Sequence, residues 1–264
     1  MRVVFGLAWE RAWVRIVVLA AGFGLFELVV GLSYASVDQN AIRQLVDALP
    51  PALRALAGSA DISTPTGYAG SGYLHPVALA LPAAAAISMA AAPARDVEDG
   101  TAELILSRPI EPPRWLAAHA LAMATGLAAV VAGGYLGGLV ASEVVDDLAP
   151  LDPGPLALAL LGSYLCFLAV GGVALLVASL VRAGGRVVAW AAGFVIVSYA
   201  VDYLAQVWSV AEPLGPLSIF RYLDPPAVLR TGALGPEDVA VLGGLALVAT
   251  AAALTLVGRR DLAR

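Results

Sequence analysis

Polar residues are sparse, and the chain resolves into long apolar runs separated by short polar pieces. Six runs reach the roughly 20 residues that a membrane-spanning helix needs: 15–36, 73–93, 115–141, 155–181, 187–208 and 239–258. The pattern predicts an all-α, polytopic membrane protein with six transmembrane helices, one transmembrane domain over 1–264. The third and fourth runs contain no Asp, Glu or Arg and are long enough to span with tilt. Pro76 and Pro82 interrupt the second, where proline is expected to kink a spanning helix and not to end it. Ser33-Tyr34-Ala35 offers a small-residue cleavage site after the first run. That run is longer than the 7–15 apolar residues of a secretory signal, and Glu27 interrupts it, so an uncleaved first span is expected.

The intervening pieces have patterns of their own. In 1–14, Phe5, Trp9 and Trp13 recur at i, i+4 and i+8 beside the polar Arg2, Glu10 and Arg11. Such a stripe predicts an N-terminal interfacial helix anchored by aromatic rings at headgroup depth; a plain extension of the first span is the alternative. In the loop 37–72, Ile42, Leu45, Val46 and Leu49 mark an amphipathic helix over 39–49, stopped by Pro50-Pro51. Helical character resumes at 52–57, and 61–72, rich in Ser, Thr, Gly and Tyr, reads as loop. The loop 94–114 is the most polar stretch. Thr101–Leu106 is a short helix with Glu103 near its start, where the macrodipole favours negative charge, and Pro109, Pro112 and Pro113 end it. Physics alone leaves two readings of this loop open, a docking element for a soluble partner and a solvated connector. The loop 209–238 clusters Leu217, Ile219, Phe220, Tyr222 and Leu223. It is better satisfied dipping partway into the membrane against protein, as a re-entrant segment, than standing in water.

Charge changes the picture twice. Only 13% of residues are charged and the mean hydropathy is +0.86, about half the charge of a soluble domain. All fifteen cationic side chains are Arg. Without lysine the chain has no Walker A loop and no Schiff-base chemistry, so it is not expected to be an enzyme and carries no cofactor of its own. One cysteine, Cys166, and two histidines, His75 and His119, supply no metal site. No basic patch interleaved with aromatics points to nucleic acid. The arginines also orient the chain. Arg43, Arg54, Arg221 and Arg230 fall on one side and the other eleven on the opposite side. The positive-inside rule then puts both termini in the cytoplasm, in a bacterial cell membrane, with 37–72 and 209–238 outside.

The inner loop reads Glu98-Asp99-Gly100-Thr101-Ala102-Glu103-Leu104-Ile105-Leu106-Ser107-Arg108-Pro109-Ile110. It closely resembles the E-x-G-T-x-E-L-[LI]-L-[SA]-x-P-[VI] signature of the membrane subunits of ABC type-2 exporters, and it sits, as there, between the second and third spans. The resemblance extends through Leu217–Leu229, with Phe220, Tyr222, Asp224 and Pro225, which is similar to the family's re-entrant outer segment. It also takes in the run 49–58 and the closing Arg259-Arg260-Asp261-Leu262. Glu111-Pro112-Pro113 departs from the pattern, where Ser and basic residues are common. The resemblance implies a permease subunit of an ATP-driven exporter. It would work with a second copy or paralogue of the permease and with two ATP-binding cassette subunits, which would hold the ATP and Mg. The loop would be a cytoplasmic coupling helix seated on the ATPase, with Arg95, Glu98, Gly100, Thr101, Glu103 and Arg108 as its residues. Efflux of a hydrophobic or amphiphilic compound, such as a drug or antibiotic, leads; export of lipid, glycan or metal-related cargo, or a sensor or immunity protein on the same scaffold, are alternatives. An intramembrane enzyme lacks its motifs: there is no G-x-S-x-G and no H-E-x-x-H.

Carboxylates inside spans are costly and by default face a cavity or partner. Glu27 lies mid-way along the first span and Asp202 in the outer half of the fifth, where Tyr199, Tyr203 and Gln206 extend a polar stripe. In the family the first, second and fifth spans tend to line the path between permeases, so these five residues are expected on it, and no arginine is expected at their depth. Gly133-x-x-x-Gly137 and Gly134-x-x-x-Gly138 predict close helix packing within the chain. Trp115, Trp190 and Trp208, at span ends, are expected to anchor in membrane lipids at the interface.

Overall fold

A computed structural model of the chain describes residues 1–36, 38, 40, 41, 44, 48, 62, 64–148 and 151–259. The expected helix over 39–49 falls largely outside these residues. The run 49–58 and the closing 260–262 lie wholly outside them. Ten helices are named here. They are α1 (Arg2–Tyr34), α2 (Pro65–Gly72), α3 (Pro76–Ala90), α4 (Ala92–Glu98), α5 (Thr101–Leu106) and α6 (Pro112–Val144). After these come α7 (Pro153–Leu180), α8 (Gly184–Val207), α9 (Pro225–Thr231) and α10 (Pro236–Gly258). Short 3-10 turns stand at Asp146–Leu148, Glu212–Leu217 and Phe220–Tyr222. No strand occurs among the described residues. Six helices there are long and apolar enough to cross a membrane, with α3 and α4 counted as one.

Proline sets most of the starts. Seven of the helices carry it at the first or second position, where its missing N–H would be unpaired anyway. Side chains cap several of them. Thr64 Oγ1 accepts from Gly67 N at 3.2 Å, Asp152 Oδ1 from Gly154 N at 3.0 Å and Asp224 Oδ1 from Ala227 N at 3.0 Å. The Thr64 cap with Pro65 corrects one expectation: 65–72 is helix α2, not loop. Its small residues fit it under α9, since a Cβ on Gly70 would lie 2.7 Å from Pro226 Cα. Helix α3 runs unbroken through Pro82.

The N-terminal expectation is also corrected. Helix α1 passes through 14 and 15 without a break, so 1–14 is the first part of one long helix and not a separate interfacial one. At 1.5 Å per residue its 33 residues span about 50 Å, well beyond a hydrocarbon core of about 30 Å.

The core lies between α3, α6 and α7, where Leu127, Val130, Phe167, Val170 and Leu175 are fully buried. Helices α1, α8 and α10 cover it from outside and leave most of their own surfaces open. The expected glycine seam is real and lies within the chain. Gly133 and Gly137 of α6 face the backbone of Ala20 and Gly24 on α1, so closely that a Cβ on either would enter it. Gly134 and Gly138 instead make room for the Phe23 ring and the Tyr73 hydroxyl. Two ends of the bundle follow from these contacts. One gathers the N-terminal part of α1 with α4, α5 and the starts of α6 and α8. The other gathers Tyr34, α2, Leu148, the start of α7 and α9.

Candidate functional site

The loop 94–114 forms a compact helical elbow. After α4, Asp99 and Gly100 turn the chain, Gly100 at φ +73°, a left-handed conformation that favours glycine. Helix α5 follows, as the sequence predicts. Ala102 is buried and Ile105 and Leu106 pack on the core, whereas Glu103, Leu104, Ser107 and Arg108 face outward. Leu104 is 74% exposed. Its apolar side chain sits in the centre of the outward face, and charge-based reading of the loop missed it.

Three other spans hold the elbow. Asp96, on α4 and buried, takes Arg11 of α1 on Oδ1, with Nη1 donating at 2.8 Å. Its Oδ2 lies 3.3 Å from Nε2 of His119 on α6. The angle there is not that of a hydrogen bond, and both atoms are buried without one. His119 is in turn held edge-on by Trp115 at 5.3 Å between ring centroids. On the far side Glu98 Oε2 accepts from Gly184 N, at the start of α8, at 2.9 Å. The Arg95 side chain lies across Gly184 so closely that a Cβ there would collide with it. The elbow is thus braced to α1, α6 and α8 at once. Of the residues expected on it, Arg95 is half-buried and reaches α8 beside Glu98; Thr101 is half-buried at the start of α5; Glu103 and Arg108 are free on the surface. Arg11, Asp96 and His119 were not legible as a group, because 85 positions separate the first pair.

Sequence and fold are joined by one match: the model of the ABC-2 family transporter proteins covers residues 10–262. The chain belongs to that family. No curated protein and no solved structure matches it significantly. An ABC-2 chain is the membrane component of a transporter, and the family implies association with ATP-binding subunits.

Within this ABC-2 chain the intramembrane polar residues separate. On α8, Tyr199, Tyr203 and Gln206 are exposed and Asp202 is half-buried. Gln206 Nε2 donates to Asp202 Oδ2 at 2.6 Å. Arg221, from the segment after α8, is near enough to attract this carboxylate. Glu27 does not join the stripe. It is 3% exposed and turned toward α2, where a Cβ on Gly72 would lie 3.0 Å from its Oε2; its Oε1 has no hydrogen-bond partner. The cause is the α1–α6 seam, which fixes the rotation of α1 and turns Glu27 inward. The segment 209–238 packs tightly on the spans. Ser198 Oγ accepts from Ile219 N at 2.9 Å, and Ser218 Oγ donates to Ser198 O at 2.8 Å. The Phe220 ring meets Tyr199 and Phe167 edge-on.

The aromatic anchors divide as well. Phe5 and Trp9 stack on each other at 6.1 Å and pack against the core, whereas Trp13 is 52% exposed. Trp190 and Trp208 are exposed as expected, but Trp115 is 1% exposed. Its ring faces the core beside His119, while Glu111 and Arg114 at the same helix start stay exposed.

Proposed function

We propose that the chain is the permease subunit of an ATP-driven exporter in the cell membrane, with both termini in the cytoplasm. It pairs with a second copy or a paralogue and with two ATP-binding cassette subunits, which bind ATP and Mg. The observation that carries the reading is the elbow. Its outward face of Glu103, Leu104, Ser107 and Arg108 is open, while Asp96 and Glu98 tie its stem to three spans. A surface that a partner must push on needs that combination, since a loosely tethered loop would absorb the motion. Two packings of the spans would then be biased by nucleotide through this contact. The stripe of Tyr199, Tyr203 and Gln206, exposed on α8 beside the half-buried Asp202, lines the path toward the second permease. Its aromatic rings with few polar atoms suit a hydrophobic or amphiphilic compound such as a drug or antibiotic. Trp13, Trp190 and Trp208 anchor the chain in membrane lipids.

The test is Leu104→Asp in the complex assembled with its ATP-binding subunit. Burying a leucine contributes about 2 kcal/mol, so retention of the ATPase and its stimulation by the permease are expected to fall at least tenfold. The variant chain alone should melt as the parent does. Unchanged stimulation would refute the coupling role of α5.

A further inference from the structure

We infer a specific phospholipid site at the end of the bundle where the N-terminus lies, built for a lipid phosphate. The inference does not depend on transport or on the ATPase. A cavity of about 280 Å³ opens between α1, α3, α4, α5 and α6, bordered by Arg11, Arg15 and Arg95 against Asp96 and Asp99, with His119 in its wall. Arg11 is committed to Asp96. Arg15 and Arg95 make no ion pair or hydrogen bond among the described residues. The His119 ring, 4% exposed, stands in the same wall with Nε2 3.3 Å from Asp96 Oδ2 and no hydrogen bond among the described residues. Two uncommitted guanidiniums on one cavity are suited to bidentate recognition of phosphate oxygens.

Position and surroundings identify the occupant as a lipid. Counting back the roughly 20 residues of a span from Tyr34 places Arg15 at the headgroup boundary of the leaflet in which α1 begins, level with the exposed Trp13. From Arg11 and Arg15 the same face of α1 continues inward as Val14, Val18, Leu25 and Val29, at 55%, 63%, 62% and 54% exposure. These lie at helical spacings of four and seven, along one stripe. A phosphate held between Arg15 and Arg95 therefore has an open apolar track for its acyl chain directly below it. A soluble anion would use the arginines and leave the track bare.

The full-length chain, purified in detergent, is titrated with phosphatidylglycerol and followed by native mass spectrometry. Parallel arms use diacylglycerol of the same chains and inorganic phosphate. One phosphatidylglycerol per chain is expected to persist after delipidation. Arg15→Gln with Arg95→Gln should weaken its binding at least tenfold. Val18→Asn, which touches neither arginine, should weaken it several-fold, and Arg186→Gln, an exposed cation near the same end, should leave it intact. Melting of each variant as the parent does separates lost binding from lost fold. Equal retention of diacylglycerol, or equal weakening by Arg186→Gln, would overturn the site as a phosphate site. Displacement of the lipid by millimolar inorganic phosphate would make it a free-anion site, and displacement by an added ATP-binding subunit would assign the face to that partner.

Discussion

The seam between α1 and α6 is close enough for one methyl group to report on it. In Gly24→Ala the new Cβ would lie 2.7 Å from Gly133 O, about 0.6 Å inside an ordinary C···O contact of roughly 3.3 Å. The obstacle is backbone, so no side chain can rotate away and the two helices must move apart. Overpacking of this kind costs about 1–3 kcal/mol. For a chain of this size each kcal/mol moves the midpoint by about 2–4 °C, so Tm should fall by roughly 2–12 °C. Alanine in place of a helix glycine gains about 1 kcal/mol in propensity, which makes Gly193→Ala, with nothing within 4 Å of its Cβ, the proper control. Melting of the purified chain in detergent, followed by tryptophan fluorescence or by loss of the monomer peak, gives both values. If Gly24→Ala melts at or above Gly193→Ala, the backbones are not in contact and the argument for the seam fails.

Two further predictions concern polar contacts. Asp96→Ala strips Arg11 of its partner and leaves a gap beside His119. A loss of about 1–3 kcal/mol in thermal unfolding is expected, below that of a fully buried pair because Arg11 is half exposed; parental melting would mean that the brace contributes nothing. Ser198→Ala removes the acceptor for Ile219 N and, at about 1 kcal/mol per bond, should raise hydrogen exchange at 218–222 several-fold, with exchange at 127–131 as the unaffected reference.

What the sequence made legible follows from the range of the forces involved. Spans were readable because a run of apolar residues is a local property, and α5 because Gly100, Glu103 and Pro109 are local start and stop signals. The glycine pairs announced a close approach, although the partner helix did not follow from them. The Asp96–Arg11–His119 cluster was not readable, since three separate elements must meet before a buried carboxylate finds its cation. Glu27 shows the same limit: its rank as a path residue rested on depth in the membrane, whereas its surroundings depend on the rotation of α1. The continuity of α1 was underread for a different reason. Aromatic spacing is identical in a surface-lying helix and in the extension of a span, and only packing of Phe5 and Trp9 on the core tells them apart.

The seam also has a consequence for how the protein is made. Helix α1 emerges before its backbone partner, Gly133 to Gly137, which follows more than a hundred residues later. Until then the notch around Gly24 and the carboxyl of Glu27 face lipid or the insertion machinery, and an acidic group at that depth costs about 2.5–3.5 kcal/mol on the scale for Asp. Strongly apolar neighbours such as Leu25, Phe26 and Leu28 keep the early span inserted through that interval. Helix α1 is therefore held in the membrane by its own hydrophobicity until α6 arrives to dock against it.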